Sequence, residues 1–197
     1  MGARRDVDDP PLTFSTALDA LRSARLRPEI VLDEAPAPQR LAPHAVALTA
    51  EVMDMGGDEI GSGRLVLLHD PMGHEAWDAT FRVVTFARAN VENDLATDPL
   101  VHAVAWSWLI EALDHRNAEY TALGGTVTRV SSESFGALSD RGSEAQIEVR
   151  ASWSPVGTPA QIGAHVEAWG DLLATGAGLP PLPEGVLALP TQRVRRR

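Results

Sequence analysis

Two histidines and three carboxylates stand within ten positions of the stretch LVLLHDPMGHEAWD: His69, Asp70, His74, Glu75 and Asp78, with Trp77 among them. The chain has no cysteine, so a metal site here would have to use imidazole and carboxylate, and two histidines with one carboxylate are an established ligand set. The same groups suit general acid–base chemistry near neutral pH. Spacing argues the other way. His69 and His74 are five apart across a turn, and no H-E-x-x-H pattern places two histidines on one helix face. Asp70-Pro71-Met72-Gly73 reads as a type I turn, with Asp at the first position, Pro at the second and Gly at the fourth. The stretch is therefore read first as the tip of a β-hairpin. Second, it is a candidate binding surface made by His69, Asp70, His74, Glu75, Trp77 and Asp78. Third, it is the centre of a small hydrolase or metal-dependent enzyme built on His69, Asp70, His74 and Glu75. No catalytic residue, metal ligand or cofactor is assigned on this reading.

Other chemistries are excluded by residue type. Without cysteine there is no thiolate nucleophile and no disulfide. All 17 basic residues are arginine, which excludes a P-loop lysine and a Schiff-base lysine. No G-x-S-x-G elbow or G-x-G-x-x-G fingerprint is present. The net charge is −10, and four arginines (Arg193, Arg195, Arg196 and Arg197) crowd the last five residues. The acidic body would repel nucleic acid, because phosphate contacts dominate such affinity. The basic tail reads first as a solvated terminus, and RNA association is not expected except through it. Five tryptophans against one tyrosine are read as core and boundary packing.

The elements that position these residues follow from periodicity. Residues 1–11 read as a disordered leader ending in Pro10-Pro11. Phe14, Ala17, Leu18, Leu21 and Ala24 recur at helical spacing and predict a helix over 14–26, capped by Thr13 and stopped by Pro28. A short strand over 28–34 and a proline-rich connector over 35–43 follow. Val46, Leu48, Ala50 and Val52 share one face of a strand, and Gly56-Gly57-Asp58 marks a turn. GRLVLLHD, apolar on both faces, predicts a central strand. In ATFRVVTFARANVE, Phe81 and Val83 face one way, Val84 and Phe86 the other. Asp98 and Pro99 open a helix carrying Val101, Ala105, Trp108, Leu109 and Ala112 on one stripe. Gly124-Gly125 reads as a bulge or close backbone approach in the next strand. Ile147, Val149, Ala151 and Trp153 alternate inward on the last strand. Thr158 and Pro159 start a final helix with Ile162, Val166, Trp169 and Leu173 on its apolar side.

The sum is a single α+β domain over residues 12–178. It has a mainly antiparallel sheet of five to six strands and three helices in the order α-β-β-β-β-α-β-β-α. A proline-rich tail with a basic end occupies 179–197. No run approaches the ~18 apolar residues of a membrane span, and no secretory signal opens the chain. The expected setting is the cytoplasm.

The runs LRSARLRPEIVLDEAPAPQRLAPHAVAL, SGRLVLLHDPMGHEAWDATFRVVTFARA, WSWLIEALD and YTALGGTVTR resemble an actinobacterial family known as a domain of unknown function, number 3000 in that series. The resemblance spans about residues 12–180. It implies a cytoplasmic actinobacterial protein and assigns no activity. The element order is also similar to that of type III secretion chaperones, which implies a module that binds a protein partner or its own copy. Non-enzymatic protein binding is thus the leading expectation. The hydrolase or metal-enzyme reading and the RNA-associated reading stand behind it.

Overall fold

Residues 10–38 and 40–180 are described by the structure, a computed structural model. In chain order the elements are α1 (Leu12–Ser23), β1 (Ile30–Ala35), β2 (His44–Met53), β3 (Glu59–His74), β4 (Ala79–Val91), α2 (Asn93–Thr97), α3 (Val101–His115), β5 (Tyr120–Glu133), β6 (Ser143–Pro155) and α4 (Ile162–Gly176). All six strands form one antiparallel sheet in the order β1-β2-β3-β4-β6-β5. The α+β class and the strand count match the expectation, and β3 is central as read. The helix count does not match. The short α2 is a fourth helix, and its five residues are too few to show a helical period.

Alternation assigns the faces. Val46, Leu48, Ala50 and Val52 of β2 point to the same side as Leu65 and Leu67 of β3, Phe81 and Val83 of β4, and Ile147, Val149, Ala151 and Trp153 of β6. On that side lie α1, α3 and α4. Helix α1 buries Phe14, Ala17 and Leu21 at spacings of three and four. It starts two residues earlier than expected: Pro11 is its N-cap, Thr13 lies inside it, and the Ser15 amide donates to the Pro11 carbonyl. Helix α3 buries Val101, Ala105, Leu109, Ala112 and Leu113. Helix α4 follows a capping box in which the Thr158 amide donates to the Gln161 side chain.

Helix α4 presses closest at Gly63 of β3. A Cβ there would lie 2.8 Å from Leu173 Cδ2 and from the Phe86 carbonyl, and 2.9 Å from the Trp169 ring. Helices α3 and α4 are tied at one end by Arg116, which donates to both Asp171 oxygens at 2.6 and 2.8 Å and to Glu167 at 2.9 Å. Glu167 also accepts the Arg25 amide beyond α1. Hydrogen bonding to Asp171 holds the Arg116 guanidinium charged, its pKa raised further against an opposing cost of burial.

Trp153 and His165 form a polar contact inside the core. The indole Nε1 donates to His165 Nδ1 at 3.0 Å, so the imidazole proton sits on Nε2. Burial drives the His165 pKa down to about 4. His165 therefore stays neutral in the fold while the unfolded chain takes up a proton below pH 6.5. Stability is full above 6.5 and falls as pH drops toward 4, by up to about 1.4 kcal/mol per pH unit for this one group. Urea melts between pH 7.5 and 4.5 should show that slope, and His165→Gln should flatten it. A slope unchanged in the variant would remove His165 as its source. Gly63→Ala should lower stability by about 1–3 kcal/mol at neutral pH in the same assay, through overpacking beneath α4.

Candidate functional site

Strands β3 and β4 form the expected hairpin, but the reversal is not where the Asp-Pro-x-Gly signal placed it. Asp70–Gly73 remain on the β3 side, as a wide bulge between the His69–Phe81 and His74–Ala79 pairs. Within it the Asp70 carboxylate accepts the Met72 amide at 3.0 Å, and Gly73 takes a φ of +78°. The chain reverses at Glu75–Asp78, in a short 3-10 turn closed by Asp78 in the left-handed region. The His74 Nδ1 accepts the Ala76 amide at 3.2 Å and caps this turn. The His74 ring stacks on Trp77, with centroids 4.4 Å apart. The pairing of His74 with Ala79 thus outcompetes the local turn propensity of residues 70–73.

The structure divides the sequence cluster. Asp70, His74, Glu75, Trp77 and Asp78 stay together at the hairpin tip, with His74, Glu75 and Asp78 exposed. His69 does not join them. It points under α1 and is 2% exposed, stacked between Phe14 and Phe81 at 5.6 and 4.3 Å. Its strand partner His44 lies 5.8 Å away, ring to ring. Burial lowers the His69 pKa, the neighbouring His44 adds to that, and Asp70 opposes it. The His69 Nδ1 finds no hydrogen-bond partner. Among the described residues no group of three His, Asp or Glu side chains is placed to hold a metal ion. Arg193, Arg195, Arg196 and Arg197 lie outside the described residues.

Trp77 is held against the sheet. Its carbonyl accepts the Ser154 hydroxyl at 2.7 Å, and its ring packs on Ala47, Val66 and Leu68 beside Ala37 and Ala42 of the connector. The tip and the connector together cover the β2–β3 corner of the sheet face that carries no helix.

A second surface was not singled out from the sequence. β5 is an edge strand of 14 residues, and most of its side chains are exposed. Between Tyr120 and Ser132 it carries one charged residue, Arg129, and no proline. The Gly124-Gly125 pair produces the expected irregularity, a register shift between Thr121 and Gly124. From Gly124 to Glu133 the pairing with β6 is regular. Large apolar side chains stand exposed beside it. Leu95, Leu100 and Val104 lie on the α2–α3 segment that packs against β5, and Phe135 and Leu138 lie in the turn after it. Leu100 is 64% and Phe135 73% exposed. Lone apolar residues are ordinary on surfaces; here several stand near the outer strand of the sheet. The available signal was the carboxylate-free, Thr- and Val-rich run TVTRVSS; its place at the edge depends on strand order.

These features define an antiparallel α+β sheet with helices packed on one face and β5 at its edge. The chain belongs to the family described as "Protein of unknown function (DUF3000)", which it matches over residues 10–187. No curated protein and no solved structure shows a match, the expected likeness to type III secretion chaperones finds no support among them, and the added helix α2 departs from the expected element order. No described helix is long and apolar enough to cross a membrane.

The two histidines should respond differently to substitution. His74→Ala removes an exposed turn cap and should cost under about 1 kcal/mol. His69→Phe removes an unsatisfied buried nitrogen while keeping the stack with Phe14 and Phe81, and should raise stability by about 1 kcal/mol. That gain should grow as pH falls below 6.5, because the wild-type imidazole must stay neutral to remain buried. Thermal melts at pH 7.5 and 5.5 decide it, and a destabilised His69→Phe would point to a partner for Nδ1.

Proposed function

We propose that this chain is a non-enzymatic protein-binding module, and that the partner taken by its β5 edge is a second copy of itself. The observation that carries this reading is the outer edge of the sheet from Gly124 to Ser132, whose one charged residue is Arg129, beside exposed Leu100, Val104 and Phe135. A chain of net charge −10 repels its own copy. Close approach is least opposed where carboxylates are absent, and Tyr120–Ser132 contains none. Antiparallel pairing of β5 with its twin about a two-fold axis satisfies the open backbone groups of both strands and makes one continuous sheet of twelve. Nine paired residues, Gly124 to Ser132 about Thr128, span roughly 30 Å. Together with the flanking apolar side chains this approaches the ~800 Å² per partner of a stable interface. The acidic body, the absence of a membrane-spanning helix among the described residues and the lack of cysteine favour action in the cytoplasm.

Sedimentation equilibrium should return twice the 21.1 kDa chain mass. Thr128→Arg places like charges at the two-fold axis, on an exposed position where Glu148 of β6 stands opposite within the chain. Together with Leu100→Asp it should return the single-chain mass with an unchanged circular dichroism spectrum. A wild-type protein that sediments as one chain at about 100 μM, weaker than roughly −5.5 kcal/mol of association, would overturn the reading.

A further inference from the structure

We infer that the helix-free face of the sheet holds a binding trough for a small carboxylic acid with an apolar body. This goes beyond self-association and does not depend on it. The trough follows from strand register. Arg64, Phe86, Arg150 and Thr126 stand side by side in one row across β3, β4, β6 and β5. The next row on the same face is Val66, Val84, Ser152 and Gly124. Arg82 stands two residues further along β4, beyond Val84. Over the first two rows lies a shallow, open depression of about 410 Å³ with an apolar floor of Val66, Val84 and Phe86. That volume is within the range of small-molecule sites.

Charge selects the ligand. The partners of Arg64 and Arg82 are neutral oxygens: Arg64 donates to the Pro36 carbonyl at 2.9 Å, and Arg82 to the Ser152 and Ser154 hydroxyls and the Ala122 carbonyl. Arg150 lies over the Phe86 ring at 5.2 Å and shares its charge with Glu148. Arg64 and Arg150 therefore border an apolar floor, Arg64 without a carboxylate partner and Arg82 beyond the lining, on a chain that is strongly acidic elsewhere. A guanidinium matches a carboxylate in a bidentate pair, and an apolar floor gives no advantage to a bare inorganic anion.

Shape sets the size. The β2 side of the trough is closed by the connector, whose Ala37 and Ala42 pack with Trp77 over Val66 and Leu68. The β5 side is open at Gly124, where an added Cβ would meet nothing within 4 Å. Packing therefore does not require glycine there, whereas at Gly125 a Cβ would strike the Arg150 carbonyl and the Trp106 ring. The floor spans three strand spacings, roughly 14 Å, with one closed end. An extended peptide would have to leave through that end; a body of one ring or a medium acyl chain fits within it.

The test titrates the full chain with 4-phenylbutyrate and octanoate, each beside its primary amide, by calorimetry and by methyl NMR shifts at Val66 and Val84. Both acids should bind, and both amides should bind at least about tenfold more weakly. Gly124→Leu fills the open end and should abolish binding. Arg64→Gln, at an exposed position bonded to the Pro36 carbonyl, should erase the preference for acid over amide, and it decides the matter if Gly124→Leu perturbs β5. Equal affinity for acid and amide overturns the inference. So does an Arg64→Gln protein that keeps the acid preference, or the absence of shifts at Val66 and Val84 with either acid at about 10 mM.

Discussion

Helix α4 reaches the sheet where β3 has no side chain to hold it off. At Gly63 the helix meets backbone, and Trp169 and Leu173 fill the space a side chain would have taken. This contact sets the height of the helical layer. Helix α3 is fixed to α4 by Arg116 with Asp171 and Glu167, and Glu167 in turn holds the backbone beyond α1. The helices are thus positioned relative to one another by charge-assisted bonds at one end and relative to the sheet by a close approach at its middle. Two deeply buried tryptophans, Trp153 and Trp169, fill the layer between. Trp153 finds His165 for its indole N–H, while the Trp169 Nε1 has no acceptor.

With the helices on one side, the opposite face has to cope with water alone. Its β2–β3 corner is apolar and receives the connector and Trp77. Toward β4 and β6 it turns to arginine, serine and threonine, with Val84 39% exposed. The arginine stems lie across the pleat while their guanidinium groups find carbonyls, hydroxyls and a ring. The sheet is therefore dry on one face and amphipathic on the other, which is the ordinary economy of an antiparallel sheet.

Much of this was legible because strands and helices declare their buried side by period. Phe81 and Val83 against Val84 and Phe86, the inward set on β6, and the stripes of α3 and α4 could all be assigned from spacing. What was not legible depended on competition or on distance. The Asp70–Gly73 signal was a real local preference, but continued pairing of His74 with Ala79 absorbed it as a bulge and moved the reversal to Glu75–Asp78. His69 sat among polar neighbours in the sequence, yet alternation sends it to the opposite face from Asp70, where α1 covers it. Helix α2 is too short to carry a period. The row of Arg64, Phe86 and Arg150 joins three strands far apart in the chain, so only strand order and register bring it together.

That strand order bears on how the chain assembles itself. β1 to β4 form a simple meander, each strand pairing with the one made just before it. The final strand is different: β6 is interior, between β4 and β5, although it follows both in the chain. During synthesis the long edge of β4 waits without its neighbour through the whole of α2, α3 and β5. β5 in turn has no place in the sheet until β6 arrives. Closing the sheet is therefore a late, non-local event, of the kind that slows folding and leaves hydrogen-bonding edges open meanwhile.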